Sequence, residues 1–423
     1  MNKCENIGLC GGCTFRELSY QQQIEYKENK VRISLSQYFD VDTEFQTIVS
    51  SPLTTAYRNK MELSFGDDKK DGPLNLGMHQ KRSFYNILNA DNCDLISDEM
   101  KEVVSKTLLF FREKGLTFFH RRTFKGYLRY LVLRKSYYEK KLLVNLVTSS
   151  DLSYRDEVIN YSSETNDCRG EVPKSQTVGA NACRALTPMD ENQLLSEYVE
   201  YIKNDYIAGI LHTINNQVSD AVKCDDMKLL YGVDYLTEKV CDIYFRISPF
   251  SFFQTNSLCA EKLYLKAKEF ALSDNGCKDK VLYDLFCGTG TIAQIMSKDF
   301  KKVIGVEIVS EAVEKAKENA ELNNITNVEF LCEDVNKFID TVCMSEDNIL
   351  ILDPPREGII EKTLNKILSM KPQTLVYISC KLQSLERDAA LILQAGYKLK
   401  KVCPVDMFPW TDNVETVALF RLM

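Results

Sequence analysis

The apolar positions of this chain follow two rhythms. Val281-Leu282-Tyr283-Asp284-Leu285 is an apolar run that enters the turn Phe286-Cys287-Gly288-Thr289-Gly290-Thr291, and Ile292, Ala293, Ile295 and Met296 then recur at helical spacing. The same rhythm predicts strands over 303–307, 328–332, 348–352, 375–379 and 414–421, with a helix over 309–322. Carboxylates recur where these strands end: Asp284, Glu307, Asp334 and Asp353. Such a row is the functional rim of an open α/β sheet. Earlier in the chain the pattern predicts a long amphipathic helix over 15–39, strands over 56–65, 74–77 and 83–88, and a helix over 97–114. A hairpin follows over 126–134 and 142–148, then a helix over 193–203 and strands over 209–214, 228–231 and 241–247. Periodicity lapses over 149–192, which reads as a polar surface insertion. The aromatic segment 248–256 leads into the second rhythm. The predicted fold class is therefore α/β: a Rossmann-like domain over 246–423 preceded by an α+β domain over 1–245.

Composition narrows the class. The 423 residues are 44% hydrophobic and 27% charged, values of a globular protein. No apolar stretch approaches the roughly 20 residues needed to span a bilayer, and the first residues do not read as a signal peptide. The expectation is a cytoplasmic protein with no membrane partner and no obligate protein partner. Fifteen cysteines in a reducing compartment are core residues, metal ligands or nucleophiles rather than disulfides. The net charge of −7 argues against indiscriminate nucleic-acid coating, but residues 112–141 hold ten Lys/Arg against two Glu, interleaved with aromatic rings. Basic groups neutralise phosphates and rings stack on unpaired bases; a solvated face on a hairpin is the plainer alternative.

The glycine turn alone does not identify its ligand. Gly288-Thr289-Gly290-Thr291-Ile292-Ala293 fits the dinucleotide fingerprint, and Glu307 suits any ribose diol. Asp284 leans toward S-adenosylmethionine, and Asp353-Pro354-Pro355 leans further, because paired prolines fix a rigid turn beside a planar base. Amino-group methyltransferases usually end that motif with an aromatic residue, where this chain has Arg356. A second chemistry is open to Cys380 and Glu415. A thiolate added to carbon 6 of uracil makes carbon 5 nucleophilic, and a carboxylate can then take the carbon 5 proton. In so cysteine-rich a chain an inert core thiol is the plain alternative, which the position of Cys380 at a rim strand end disfavours.

Cys4, Cys10 and Cys13 lie in Cys-x5-Cys-Gly-Gly-Cys, with Cys93 the best candidate for a fourth ligand. Four thiolates suit zinc or an iron–sulfur cluster, and a single Cys-x2-Cys pair favours the cluster.

Together these motifs resemble the RNA uracil-5-methyltransferase family over nearly the whole chain. The resemblance rests on the cysteine motif, Tyr57-Arg58-Asn59-Lys60, Phe253-Gln254-Thr255-Asn256, Phe286-Cys287-Gly288, Asp353-Pro354-Pro355-Arg356, Ser379-Cys380 and Asp406-Met407-Phe408-Pro409. It implies S-adenosylmethionine contacts at Gln254, Phe286, Glu307 and Asp353, a nucleophile at Cys380 and a base at Glu415. It also implies a 4Fe–4S cluster on Cys4, Cys10, Cys13 and Cys93. The chain starts at the cluster motif rather than with the TRAM domain common among relatives, and it carries Lys381-Leu382 and Asn413 where the family usually has Asn/Asp-Pro and His. By analogy the expected substrate is structured RNA, 23S ribosomal RNA ahead of transfer RNA. The rival readings are a base amino-group methyltransferase and a non-catalytic RNA-binding iron–sulfur protein.

Overall fold

The computed structural model describes residues 4–150, 152, 190–219, 222–273, 276–342 and 348–423. Most of the expected insertion, 151 and 153–189, lies outside the described residues.

Short, wholly apolar strands such as Ile349–Leu352 are buried on both faces, as a parallel sheet between helices requires. They assemble an eight-stranded sheet in the order Glu44–Phe45, Tyr397–Val405, Glu415–Leu422, Thr374–Ser379, Ile349–Leu352, Val281–Leu285, Lys302–Glu307 and Val328–Cys332. The last five are mutually parallel, whereas Glu415–Leu422 runs antiparallel to both its neighbours. One apolar core lies against Ser257–Ala271, Thr291–Met296 and Ser310–Leu322. The other lies against Tyr20–Leu35, Val335–Thr341, Glu361–Ser369 and Leu382–Gln394. This is the Rossmann-like layering expected, with a rim of carboxyl-terminal strand ends.

The helix expected over 15–39 is shorter, Tyr20–Leu35, because Ser19 caps it. The Ser19 hydroxyl accepts from Gln22 N and the Gln22 side chain accepts from Ser19 N, a reciprocal box that fixes the start. Residues 15–18 stay outside and are free to contact other segments. Although this helix precedes residue 246, it packs on the catalytic sheet, and Glu44–Phe45 adds a strand there opposite Lys401 and Val402. Tyr397–Val405 was not expected as a strand. Three lysines and Pro404 mask its alternation, and it is tolerated near the sheet edge, where its outer side meets the two-residue strand Glu44–Phe45 and the single bridge from Val49 to Val405.

A second sheet of seven strands runs Ile87–Asn89, Asn75–His79, Lys60–Gly66, Leu128–Lys135, Leu142–Thr148, Ile207–Ile214 and Asp226–Gly232. The helices Asp98–Glu113 and Glu191–Ile202 close its core. The strand expected over 56–65 begins only at Lys60, because the preceding residues serve as connectors. Asn59 N donates to Thr255 O at 2.8 Å and Asn59 Nδ2 to Gln254 O at 3.1 Å. Arg134, buried in the second sheet, donates to Pro249 O at 3.0 Å. The segment ahead of the catalytic helix Ser257–Ala271 is thus anchored by the other sheet. No helix among the described residues is long and apolar enough to cross a membrane.

Candidate active site

The strand Val281–Leu285 delivers Asp284 and Phe286 to the rim. Phe286 has φ 72°, a left-handed conformation that a bulky residue adopts only when its surroundings over-determine it. Gly290 follows at φ 73°, and a Cβ there would stand 2.4 Å from the Phe330 ring, so only glycine lets the turn seat on the sheet. Asp284 is fully buried; its Oδ2 accepts from Ala293 N at 3.0 Å while Oδ1 has no partner. Burial, with the nearby Asp353 carboxylate, pushes its pKa well above the usual range. Glu307 accepts from Gly288 N at 3.1 Å and from Ile308 N and Val309 N at 2.8 and 3.0 Å. A buried carboxylate with a free acceptor and a second one clamped beside the turn can receive donors of a nucleoside ligand. Gln254 is half-buried in the anchored segment, its carbonyl held by Asn59.

Asp353 stands at the end of Ile349–Leu352, and desolvation pushes its carboxyl up to about 7. Next to it, Thr374–Ser379 ends at Cys380, while Glu415 opens the antiparallel last strand. The register pairs Ser379 with Thr416, so Cys380 lies across from Glu415. Burial and repulsion from Asp353 raise Glu415 to about 8, and Arg356 opposes the shift. Cys380 is raised to about 11 by burial and then by Glu415 and Asp353, again opposed by Arg356. Thiol, carboxyl and guanidinium thus meet at one rim position. Both departures from the family pattern are accommodated locally. Arg356 Nη2 donates to Asn413 Oδ1 at 3.2 Å. The Ser379 hydroxyl donates to Lys381 O at 2.9 Å and accepts from Lys381 N at 3.3 Å.

The model of the tRNA (uracil-5-)-methyltransferase family matches residues 208–422. An RNA methyltransferase of Clostridium tetani, itself uncharacterized, is 40% identical over 424 residues, covering 99% of this chain and 83% of the relative. One from Caldanaerobacter subterraneus subsp. tengcongensis is 38% identical over 419 residues, covering 99% and 84%. The Pyrococcus abyssi tRNA (uracil-54, C5)-methyltransferase, solved with S-adenosyl-L-homocysteine, superposes with a TM-score of 0.71 at 25% identity, covering 98% of this chain and 86% of that one. The chain belongs to the RNA uracil-5-methyltransferase family. It is an S-adenosylmethionine-dependent RNA methyltransferase.

Outside the rim, this family member gathers Cys4, Cys10, Cys13 and Cys93 around one cavity of about 110 Å³. Among the described residues no three His, Cys, Asp or Glu side chains stand in the arrangement of a metal site. Burial raises the thiols of Cys10 and Cys13, and lifts Cys93 to about 11. Arg16 and Arg58 also line the cavity, and Arg16 Nε and Nη2 and Arg58 Nε are buried donors without hydrogen-bond partners. The cavity thus brings four sulfurs and three cationic donors into one lining.

The basic hairpin is narrower than its composition suggests. Arg129 and Arg134 are buried and donate to main-chain carbonyls of Asn215, Gln217 and Pro249. Lys114 and Lys135 pair with Glu197 and Glu99. Three accessible cations, Arg121, Arg122 and Lys125, gather at the tip of the turn 120–125 that precedes the hairpin, with Phe124 half-exposed; Arg112 and Lys140 are exposed elsewhere in the segment. Sequence reasoning missed that the loop 80–86 lies beside this tip: the Arg122 guanidinium sits 4.5 Å from the Tyr85 ring, Arg121 donates to Phe84 O, and Phe84 itself is 80% exposed. Two sequence-distant loops form that surface, so no local pattern marks it.

The electrostatics of Cys380 are open to direct measurement. With its pKa at about 11, alkylation by iodoacetamide should be slow at neutral pH and climb as pH rises toward that value. Glu415→Gln removes a negative neighbour and should speed alkylation, while Arg356→Met should slow it, by roughly tenfold per pKa unit moved. Peptide mapping by mass spectrometry separates Cys380 from the other thiols. Equal rates in all three proteins would show that these groups do not share one field.

Proposed function

We propose that the protein methylates carbon 5 of a uridine in structured RNA through a covalent Cys380 adduct. The register that sets Cys380 against Glu415 carries this reading. The target base, turned out of its stack, would sit between the two side chains. The Cys380 thiolate adds to carbon 6, and the electron pair gathers on carbon 5. S-adenosylmethionine supplies the methyl group, and Gln254, Phe286, Glu307 and Asp353 would hold it, with Oδ2 of Asp284 supporting the same turn through Ala293 N. Glu415 then takes the carbon 5 proton, the carbon 5–carbon 6 double bond re-forms, and the sulfur leaves. A carboxylate raised to about 8 is a competent base near neutrality. Arg356 favours the ionised forms of both groups.

The expected 4Fe–4S cluster on Cys4, Cys10, Cys13 and Cys93 is part of this proposal, supported by the shared cavity and its unpaired arginine donors. When bound, it would cross-link the first residues to the loop at Cys93 and lies outside the reaction itself. The turn 120–125 and the loop 80–86 would face RNA phosphates and unpaired bases. Ribosomal RNA is the expected substrate, and the named activity of the Pyrococcus abyssi enzyme makes transfer RNA the second reading. Methylation of both transcripts, with the product nucleoside identified, tests the substrate and separates carbon 5 from amino-group transfer.

Removing the two rim groups should fail in different ways. Cys380→Ala should lower methylation by about 10⁴-fold or more and give no protein–RNA complex. Glu415→Gln should build a denaturant-resistant complex that persists. Methylation by Cys380→Ala would shift the assignment to amino-group chemistry, and normal turnover by Glu415→Gln would require another base.

Protein purified without oxygen should be brown, with iron and sulfide present. A colourless preparation with stoichiometric zinc would replace the cluster with a zinc centre.

Reversing Arg121, Arg122 and Lys125 to Glu should weaken RNA binding and flatten its salt dependence, by about 0.7–0.9 in log–log slope per lost phosphate contact. S-adenosylmethionine binding, followed by calorimetry, should not change. Unaltered RNA affinity would leave the tip a solvated face.

A further inference from the structure

The reaction scheme above has no role for the residues between the cysteine motif and the first helix. These residues nevertheless hold the loop that leads into Glu415. That loop, 406–414, connects Tyr397–Val405 to Glu415–Leu422, and Trp410 is its turning point with φ 69°. A left-handed tryptophan must be held in place by its neighbours. Thr14 N and Phe15 N both donate to Trp410 O, at 2.8 and 3.0 Å. Trp410 N donates to Gln23 Oε1 at 2.8 Å, and the indole N–H donates to Thr54 O at 2.5 Å. The Arg16 guanidinium lies over the indole, 4.8 Å from its centroid. The same guanidinium pairs with Asp94 at 3.0 Å, the residue after Cys93, and lies in the field of Cys13. One cation therefore touches the cysteine cavity on one side and the Glu415 loop on the other.

We propose that Arg16 and Trp410 are positioning residues that align the Glu415 carboxylate with the carbon 5 proton. The cysteine-rich segment thereby sets the last step of the cycle without touching the base. In that step the carbon 5–hydrogen bond breaks, the proton passes to Glu415, and the freed electron pair re-forms the double bond and expels the Cys380 sulfur. Addition and methyl transfer depend on Cys380, whose strand Thr374–Ser379 is held by Ile349–Leu352 on one side and by the ladder of Glu415–Leu422 on the other, and neither Arg16 nor Trp410 belongs to these ladders. A loosened clamp should leave these earlier events intact and slow release. This inference rests on the covalent reading proposed above.

The test follows adduct formation and adduct decay separately, using the full chain and an RNA transcript in denaturing gels. Arg16→Met removes the cation and keeps the bulk of its stem; Trp410→Phe keeps an aromatic ring and loses the indole donor. Each should form the complex within about twofold of the wild-type rate and release it about 10- to 100-fold more slowly, the scale of a small misplacement of a reacting group. Arg16→Lys should recover part of the release rate. Retained stabilisation by S-adenosyl-L-homocysteine in a thermal melt shows that a variant is folded. Release at the wild-type rate in folded Arg16→Met and Trp410→Phe overturns the clamp. Equal slowing of formation and release also overturns it, since that marks a general structural role. If wild-type protein gives no complex even on RNA carrying 5-fluorouridine, the covalent reading itself falls and takes the clamp with it.

Discussion

The active rim depends on one reversed strand. In a purely parallel sheet every strand brings its carboxyl end to the rim, so residues at strand beginnings lie at the far edge. Glu415–Leu422 runs against its neighbours and therefore delivers its first residue to the edge where Thr374–Ser379 delivers Cys380. A register shift by one residue would turn Glu415 to the other face of the sheet. The antiparallel ladder on both sides of the strand opposes such a slip. Cys380 and Glu415, about 35 residues apart in sequence, are thus opposed through main-chain hydrogen bonding.

A strand of this kind needs its entry secured, and here the amino-terminal segment does so. Lys27 and Asp406 form an ion pair at 2.5 Å with no exposed side-chain surface, and Lys27 Nζ also donates to Phe408 O at 3.0 Å. A buried pair gains little over apolar packing, but separating its members leaves a charge stranded at a cost of about 3–5 kcal/mol. Its value lies in specificity: only one seating of the helix Tyr20–Leu35 satisfies it. Tyr57, which donates to Pro409 O, and Asn256, which donates to Met407 O, grip the same loop from the connector ahead of Lys60–Gly66 and from the cap of the helix Ser257–Ala271. Two of the family motifs in this chain therefore converge on a third, Asp406-Met407-Phe408-Pro409, as scaffold.

The electrostatics of the rim follow from burial. Asp284, Asp353 and Glu415 are buried along the rim; burial is the largest cause of each upward shift, and the Asp353 carboxylate raises the other two further. Arg356 is the counterweight, and its hydrogen bond to Asn413 places it beside Glu415. The residue that weakened an amino-group reading in sequence is thus the cation that opposes the upward shifts of both Cys380 and Glu415.

Much was legible in the chain itself. The glycine turn, the row of carboxylates and the alternation of strand and helix after residue 281 are local patterns, set by backbone sterics and by burial of short apolar runs, and they determined the Rossmann-like layer and its rim. The cysteine spacing singled out three of the four cysteines that line one cavity. Other features depended on contacts distant in sequence. The strand Tyr397–Val405 was hidden because its lysines and proline obey the pairing on one side rather than an alternation of their own. The first helix joined the catalytic sheet because Lys27 and the apolar stripe through Ile24, Val31 and Leu35 find partners there, some 380 residues away in the case of Asp406. Composition counted ten cations in the hairpin, but folding directed several of them inward to carbonyls and carboxylates. Local sequence determines which residues can do chemistry, since that is a property of side chains and short-range conformation. Which of them face one another was decided by tertiary structure, because register, burial and long-range pairing exist only once the chain has closed on itself.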